Sequence, residues 1–198
     1  MARPKIYDNE QVLTSIMVKF WQQGYEATGM RDLVETTGLR ASSLYHNFGN
    51  KEDLFLLSLD FYIENIISPR INKYLHQENP VLGLQQFFTS CFSDLPKDMN
   101  GTACLMLNTM AELASHNDNV RAKLKADEKQ LKKEFSAVIE RAKSTEQISL
   151  DLDTAQLADQ LVLTLNGLLL SSKIVKNERK MVMASKQALS FLLREVNA

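Results

Sequence analysis

Apolar positions recur along this chain with the period of a helix. Val12, Leu13, Ile16, Met17, Phe20 and Trp21 stand at i, i+1, i+4, i+5, i+8 and i+9, one face of a helix that Gly24 stops. Thr28 is read as the cap of a short second helix with Met30, Leu33, Val34 and Thr37 inward, and Gly38 supplies its exit. A third short helix over 41–48 buries Leu44 and Phe48. Lys51-Glu52-Asp53-Leu54 opens a longer fourth through Leu54, Leu57, Phe61 and Ile66, as far as the Ser68-Pro69 step. Asn79-Pro80 then starts a helix carrying Leu84, Phe87, Phe88 and Phe92, and 95–101 reads as a loop. Cys104 to Ala114 is helical, and Leu124, Leu131, Phe135 and Val138 stripe the next helix. Asp153-Thr154-Ala155-Gln156 resembles a capping box ahead of an apolar helix over 157–174, and a last helix runs from about Glu178 to Val196. Neither sustained alternation nor an internal repeat is present, so the fold is expected to be all-α.

Composition narrows the class without naming a function. The 198 residues are 44% apolar and 24% charged, which excludes a disordered or fibrous chain. With 23 basic and 24 acidic residues, no bulk field advertises an anionic partner. Two cysteines make no disulfide scaffold. The first residues contain no apolar h-region, and the longest apolar run, Leu161 to Leu170, is broken by Thr164 and Asn166, far short of the ~20 residues of a membrane span. A cytoplasmic protein with no membrane contact is expected.

Helix, Gly turn and helix between Met30 and Phe48 make the helix-turn-helix pattern, whose third helix would lie in a DNA major groove; the alternative is an ordinary stretch of α-bundle. The residues favour the first. Gly24-Tyr25-Glu26-Ala27-Thr28, Arg31-Asp32-Leu33, Gly38-Leu39 and Ser43-Leu44-Tyr45-His46-Asn47-Phe48-Gly49-Asn50-Lys51-Glu52-Asp53-Leu54 resemble the TetR family of bacterial transcriptional regulators in order and spacing over roughly residues 8–55. The resemblance implies an N-terminal three-helix DNA-binding domain (1–50) on a larger helical domain (51–198) that binds a small effector and dimerises, about nine helices in all, with helix four as the connecting strut. Double-stranded operator DNA is the implied partner, and no cofactor or metal is implied.

Each role the resemblance transfers has a physical reading. Thr28 would present its hydroxyl and the helix-two N–H groups to a phosphate. Ser42 and Ser43 open helix three, where side chains reach base edges. Tyr45 and His46 follow as phosphate or base contacts, against a half-buried tyrosine and a non-contacting histidine. Lys51 is the expected phosphate anchor. Arg40 stands where the family usually has a small capping residue; it leaves a weaker cap but offers a guanidinium to phosphate or guanine. Asn47 replaces a common His and has no assigned role. Residues 1–55 carry six basic groups (Arg3, Lys5, Lys19, Arg31, Arg40, Lys51) against seven acidic ones, so the basic groups must be segregated on one face, helped by Arg3 and Lys5 on an N-terminal arm. Val120 to Lys143 is more basic, eight groups against four, and reads as a solvated helix face rather than a second nucleic-acid surface.

In the C-terminal half, Gly101 to Leu113 looks like the "GCL…N…EL" helix of one broad branch of the family. Cys104, Asn108 and Glu112 share one helix face there. Asn108 and Glu112 either tie neighbouring helices together around a buried Cys104, or Cys104 is a redox or electrophile sensor, its thiolate favoured by the helix N-terminus and by an approach of Lys173. Otherwise the effector occupies an apolar cavity walled by Phe87, Phe88, Met106, Met110 and Leu165, while Cys91 reads as core. Leu157, Leu161, Leu165, Leu168 and Leu169, with Ala184, Ala188, Phe191 and Leu192, offer an apolar surface for a homodimer through the last two helices.

The expected function is a repressor released from a pseudo-palindromic operator by a small effector, or alternatively by modification of Cys104. A cysteine-dependent enzyme is the distant alternative. Its one candidate pair, Cys104 and His116, lies 12 residues apart, three helical turns, too far for nucleophile activation. A third possibility is a TetR-like protein acting through protein contacts instead of DNA.

Overall fold

The computed structural model describes residues 8–94 and 102–193, which form nine helices and no β-strand. Residues 1–7, with Arg3 and Lys5 of the expected arm, residues 95–101, expected as a loop, and residues 194–198, the expected end of the last helix, lie outside them.

Three short helices form a head: α1 (Asn9–Gln23), α2 (Met30–Thr37) and α3 (Ala41–Phe48). Asp8 caps α1 by accepting the Glu10 N–H at 2.9 Å. The cap of α2 differs from expectation. Gly29, not Thr28, stands at the N-cap, and the Asp32 carboxylate accepts its N–H at 2.7 Å. Thr28 is fully buried and donates its hydroxyl to Gly24 O at 2.7 Å, so it presents nothing to a phosphate. Arg40 is the N-cap of α3 and makes no capping bond, the weak cap that its side chain implied.

The fourth helix, α4, spans residues 51–75. Asn50 and Asp53 start it with a reciprocal capping box. It does not stop at Ser68-Pro69. It widens into π turns over Ile63–Ile67 and Ile71–Leu75 on either side of Ser68–Arg70. Pro69 has no N–H to return to the preceding turn, and the helix accommodates it by loosening. The inner face of α4 is Leu54, Phe55, Ser58, Leu59 and Tyr62, while Leu57, assigned inward from the sequence, is exposed.

The body follows with α5 (Pro80–Ser93), α6 (Leu105–Leu113), α7 (Asp118–Ser144), α8 (Thr154–Val175) and α9 (Glu178–Leu193). Asn79 and Asp153 cap α5 and α8 as the sequence predicts. Two cores result. Ile16, Phe20, Leu33, Leu44 and Leu54 centre the head's core; Phe87, Phe88, Phe135, Leu161 and Leu189 centre the body's. Helix α6 joins them, with Leu105 and Leu113 in the first and Leu107 packed against the second.

The apolar face assigned to a dimer is corrected in part. Leu157, Leu161, Leu165 and Leu169 are buried in the chain's own core, so they are not free for a partner. The other side of α8 carries exposed Leu163, Leu170 and Ile174 around Gly167, and α9 adds Met183 and Phe191, the latter 81% exposed. A helix apolar on two sides offers two faces, and periodicity does not rank them. Among the described residues, half of the eight basic groups of 120–143 form ion pairs within the chain: Arg121 with Asp118, Lys123 with Asp60 and Asp127, Lys132 with Glu128 and Asp159, and Lys143 with Glu140.

Candidate functional site

Helix α3 is anchored by fully buried Leu44 and leaves Arg40, Ser42, Tyr45 and His46 exposed, with Ser43 half-exposed. These are the residues the sequence singled out, and they share one short exposed helix. Asn47 turns its amide back to Ser43 O at 2.6 Å. Lys51, at the head of α4, holds its ammonium 4.1 Å from the centre of the Tyr25 ring. That ring in turn lies against Phe20 and Phe55, so Lys51 is positioned by the head's core.

The turn after α1 joins this surface to the body. The Tyr25 and Glu26 N–H groups both donate to the Glu112 carboxylate of α6, at 3.0 and 2.7 Å. Gly24 makes room for it: its φ is +84°, and a Cβ there would stand 2.9 Å from a Glu112 oxygen. His116 approaches Glu26 at 3.7 Å and Asn119 donates to Glu52 at 2.9 Å. From α1, Trp21 donates its indole N–H to Ala103 O at 2.7 Å. Ala103 holds a positive φ of 59°, which turns that carbonyl toward the head.

Behind Trp21 lies a cavity of about 170 Å³. Trp21 and Tyr62 meet edge to face at 4.9 Å in its wall, and the Tyr62 hydroxyl donates to Cys104 Sγ at 3.4 Å. Burial, then the neighbouring Cys104, pushes the Tyr62 phenol well above its usual range, so it stays a donor. Cys104 stands at the N-cap of α6. Of the residues expected at the pocket, Phe87, Cys104, Met106, Met110 and Leu165 line the cavity. Phe88 does not; it is fully buried between Phe87 and Phe135. Asn108 and Lys173 also lie elsewhere. Lys173 is exposed and donates to Asn108 Oδ1 at 3.0 Å, while Asn108 donates to Thr102 O at 2.7 Å. Lys173 is therefore engaged by an amide rather than by Cys104. Asn108 and Glu112 act as ties between elements.

Sequence reasoning missed Trp21, Tyr62, Arg70 and Asp127 in the cavity wall. Trp21 sat on a stripe read as head core, and only the Pro69 interruption signalled an irregular wall. Burial raises the Cys91 thiol to about 11, although Arg70 pulls it down, so Cys91 is inert. His116 pairs with Glu26 and Ser115, which leaves no Cys–His dyad. Among the described residues no group of three metal-ligating side chains occurs, and no helix is long and apolar enough to cross a membrane.

The family model described as "Bacterial regulatory proteins, tetR family" matches residues 13–57, and the one described as "Tetracyclin repressor-like, C-terminal domain" matches 83–188. The chain is similar to the HTH-type transcriptional repressor ComR of Escherichia coli (strain K12), 29% identical over 87% of this chain and 82% of that one. It is also similar to the HTH-type transcriptional repressor DhaR of Mycobacterium sp. (strain GP1), 28% identical over 80% and 78%. A cysteine mutant of the TetR family regulator CifR, solved with 26-bp double-strand operator DNA, superposes with a TM-score of 0.82 at 25% identity, covering 94% of this chain and 98% of that one. The second model alone spans more than half of the chain, and that family is one of regulators, not of catalysts: this chain belongs to the TetR family of bacterial regulatory proteins.

Proposed function

We propose that the chain is a cytoplasmic transcriptional repressor that binds a pseudo-palindromic operator as a homodimer and lets go when a small effector enters the cavity. The observation that carries this reading is the run of contacts between cavity and head. Trp21 belongs both to the cavity wall and to α1, and Glu112 grips the turn between α1 and α2. A ligand that moves α6 or Trp21 shifts the population toward dimers whose recognition helices are wrongly spaced. In the DNA-bound state the two α3 helices sit in successive major grooves, roughly 34–36 Å apart. Arg40, Ser42, Ser43, Tyr45 and His46 face the groove and Lys51 the backbone. The head ends at about residue 50, and the body senses and dimerises. The face of Leu163, Leu170, Ile174, Met183 and Phe191 is the proposed subunit contact.

Selection of bound sequences from a random DNA pool tests the first half: an inverted repeat is expected, and no enrichment refutes operator binding. Arg40 or Ser43 substitutions should change the preferred sequence, whereas Lys51→Ala should weaken all sequences alike. Phe191→Glu should yield monomers in sedimentation; an unchanged dimer assigns the contact elsewhere.

A second reading is supported by the Tyr62 hydroxyl on Cys104 Sγ at the cavity wall. An electrophile with an activated C=C double bond entering the cavity would add the thiol across it: the S–C bond forms as the π bond breaks, the thiol proton ends on the adjacent carbon, and the Tyr62 hydroxyl loses its acceptor. Release from DNA by a mild electrophile, abolished in Cys104→Ser, supports it; release that survives the substitution removes it.

A further inference from the structure

The polar groups around the cavity are not equivalent. Asp127 and Glu128 of α7 already hold lysines: Lys123 Nζ stands 3.4 Å from Asp127 Oδ2, and Lys132 Nζ 3.1 Å from Glu128 Oε1. The Tyr62 hydroxyl already donates its hydrogen bond to Cys104 Sγ. Arg70, on α4 between the two π turns, differs. It has no ion pair among the described residues. Its one hydrogen-bond partner among them is Cys91 Sγ, at a distant 4.0 Å. That thiol is buried and uncharged at neutral pH. The nearby carboxylate of Asp94 accepts instead from Tyr74 and Ser93, at 2.8 and 2.9 Å. A half-buried guanidinium with five N–H donors thus lines a mostly apolar hollow, with Cys91 Sγ as its hydrogen-bond acceptor among the described residues and Asp94 near enough to feel its charge without accepting from it.

A guanidinium with so few protein acceptors leaves its N–H fork available to an anion in the cavity. We infer that the effector is a small monocarboxylate with an apolar body, its carboxylate held by Arg70 and its body by Phe87, Leu107, Leu131 and Leu165. The inference rests on reading this cavity as the effector site. Size agrees: an apolar cavity of about 150 Å³ encloses benzene, and this hollow is about 170 Å³. Shape agrees as well, because the planar guanidinium fork matches a carboxylate in a bidentate pair. The acids of α7 are the rival site for a cation: Lys123 is shared between Asp127 and Asp60, Lys132 between Glu128 and Asp159, and the buried Asp127 Oδ2 accepts no hydrogen bond among the described residues, so a preference for benzylamine would assign the ligand to them. A carboxylate drawing on Arg70 also acts on α4, the helix that leads directly from the head.

Trp21 is the chain's single tryptophan and stands in the cavity wall, so its emission reports occupancy without reference to DNA. Full-length protein is titrated with benzoate, benzamide and benzylamine, which share one ring and differ in charge. Benzoate should bind more tightly than benzamide by about tenfold or more, with benzylamine weakest. Arg70→Gln should erase that preference and Arg70→Lys keep part of it, the lysine variant serving also as a control for folding. Equal affinity for benzoate and benzamide, a preference for benzylamine, no response to any of the three, or a benzoate preference that survives Arg70→Gln overturns the inference. Operator binding measured in parallel separates the two readings. DNA binding with a cavity blind to charge refutes the carboxylate alone, whereas benzoate binding through Arg70 without any DNA binding refutes the regulator.

Discussion

Phe20, Phe55 and Tyr25 close the head's core, with Phe55 meeting each of the other two edge to face at 4.9 Å. In the body, Phe87 packs on Phe135 at 5.6 Å and also lines the cavity. The head is short helices around side chains in mutual contact, which suits a surface that must present α3 in one orientation. The body is longer helices around a hollow, with a strut loosened at Pro69, the arrangement that the proposed effector binding would use. A closed core and a hollow one are thus built from the same residue types, and α6 is shared between them.

The comparison breaks most sharply at Leu44. Leu44→Ala removes a fully buried anchor from the tighter core and should cost about 2–5 kcal/mol, abolishing DNA binding while cavity ligands still bind; chemical unfolding monitored alongside both activities checks it. Next comes the link. Glu112→Ala leaves the Tyr25 and Glu26 N–H groups without their acceptor and should cost roughly 1–3 kcal/mol. It should also weaken the coupling between cavity ligand and operator, read as a smaller change in DNA affinity on adding ligand. An unchanged coupling would move the connection to Trp21 and Ala103.

A comparable effect comes from Cys91. Its thiol, raised by burial from 9.0 to about 11, is protonated in the folded state. Because the folded value is the higher one, the stability it contributes is complete below about pH 9 and lost as pH rises through about 11, on the order of 2–3 kcal/mol. Cys91→Ala should flatten that alkaline loss in thermal melts taken across this range. The smallest effect belongs to the exposed Arg31–Glu35 pair of α2. Arg31→Ala should change stability by no more than about 0.5 kcal/mol, so any larger loss of operator affinity, measured against salt, counts phosphate contacts directly.

Much of this architecture is legible in the sequence because local signals agree with it. Asn79-Pro80, Asp153 and Gly38 mark ends that stand where those residues say they should, and Arg40 announces its weak cap. Legibility fails where the deciding partner is remote. Thr28 and Gly29 are both plausible caps, and Asp32 decides between them by accepting the Gly29 N–H. Lys173 looks like a counterion for Cys104 until the fold brings it to Asn108. The apolar faces of α8 are alike in the sequence, and only packing against α7 and α9 tells which one the chain keeps for itself. Trp21 belongs to both the head and the cavity, a double role that no period of 3.6 can encode.

A residue inserted into an α-helix turns everything beyond it by about 100°, and in a strut joining two working parts that rotation would be ruinous. A π turn takes up the extra residue where it arises and leaves the helix on either side in register. With two such turns around Pro69, α4 can present Ile63, Ile67, Arg70 and Ile71 to the cavity from a locally widened backbone while the turns nearer the head keep the phase that packs them on α1.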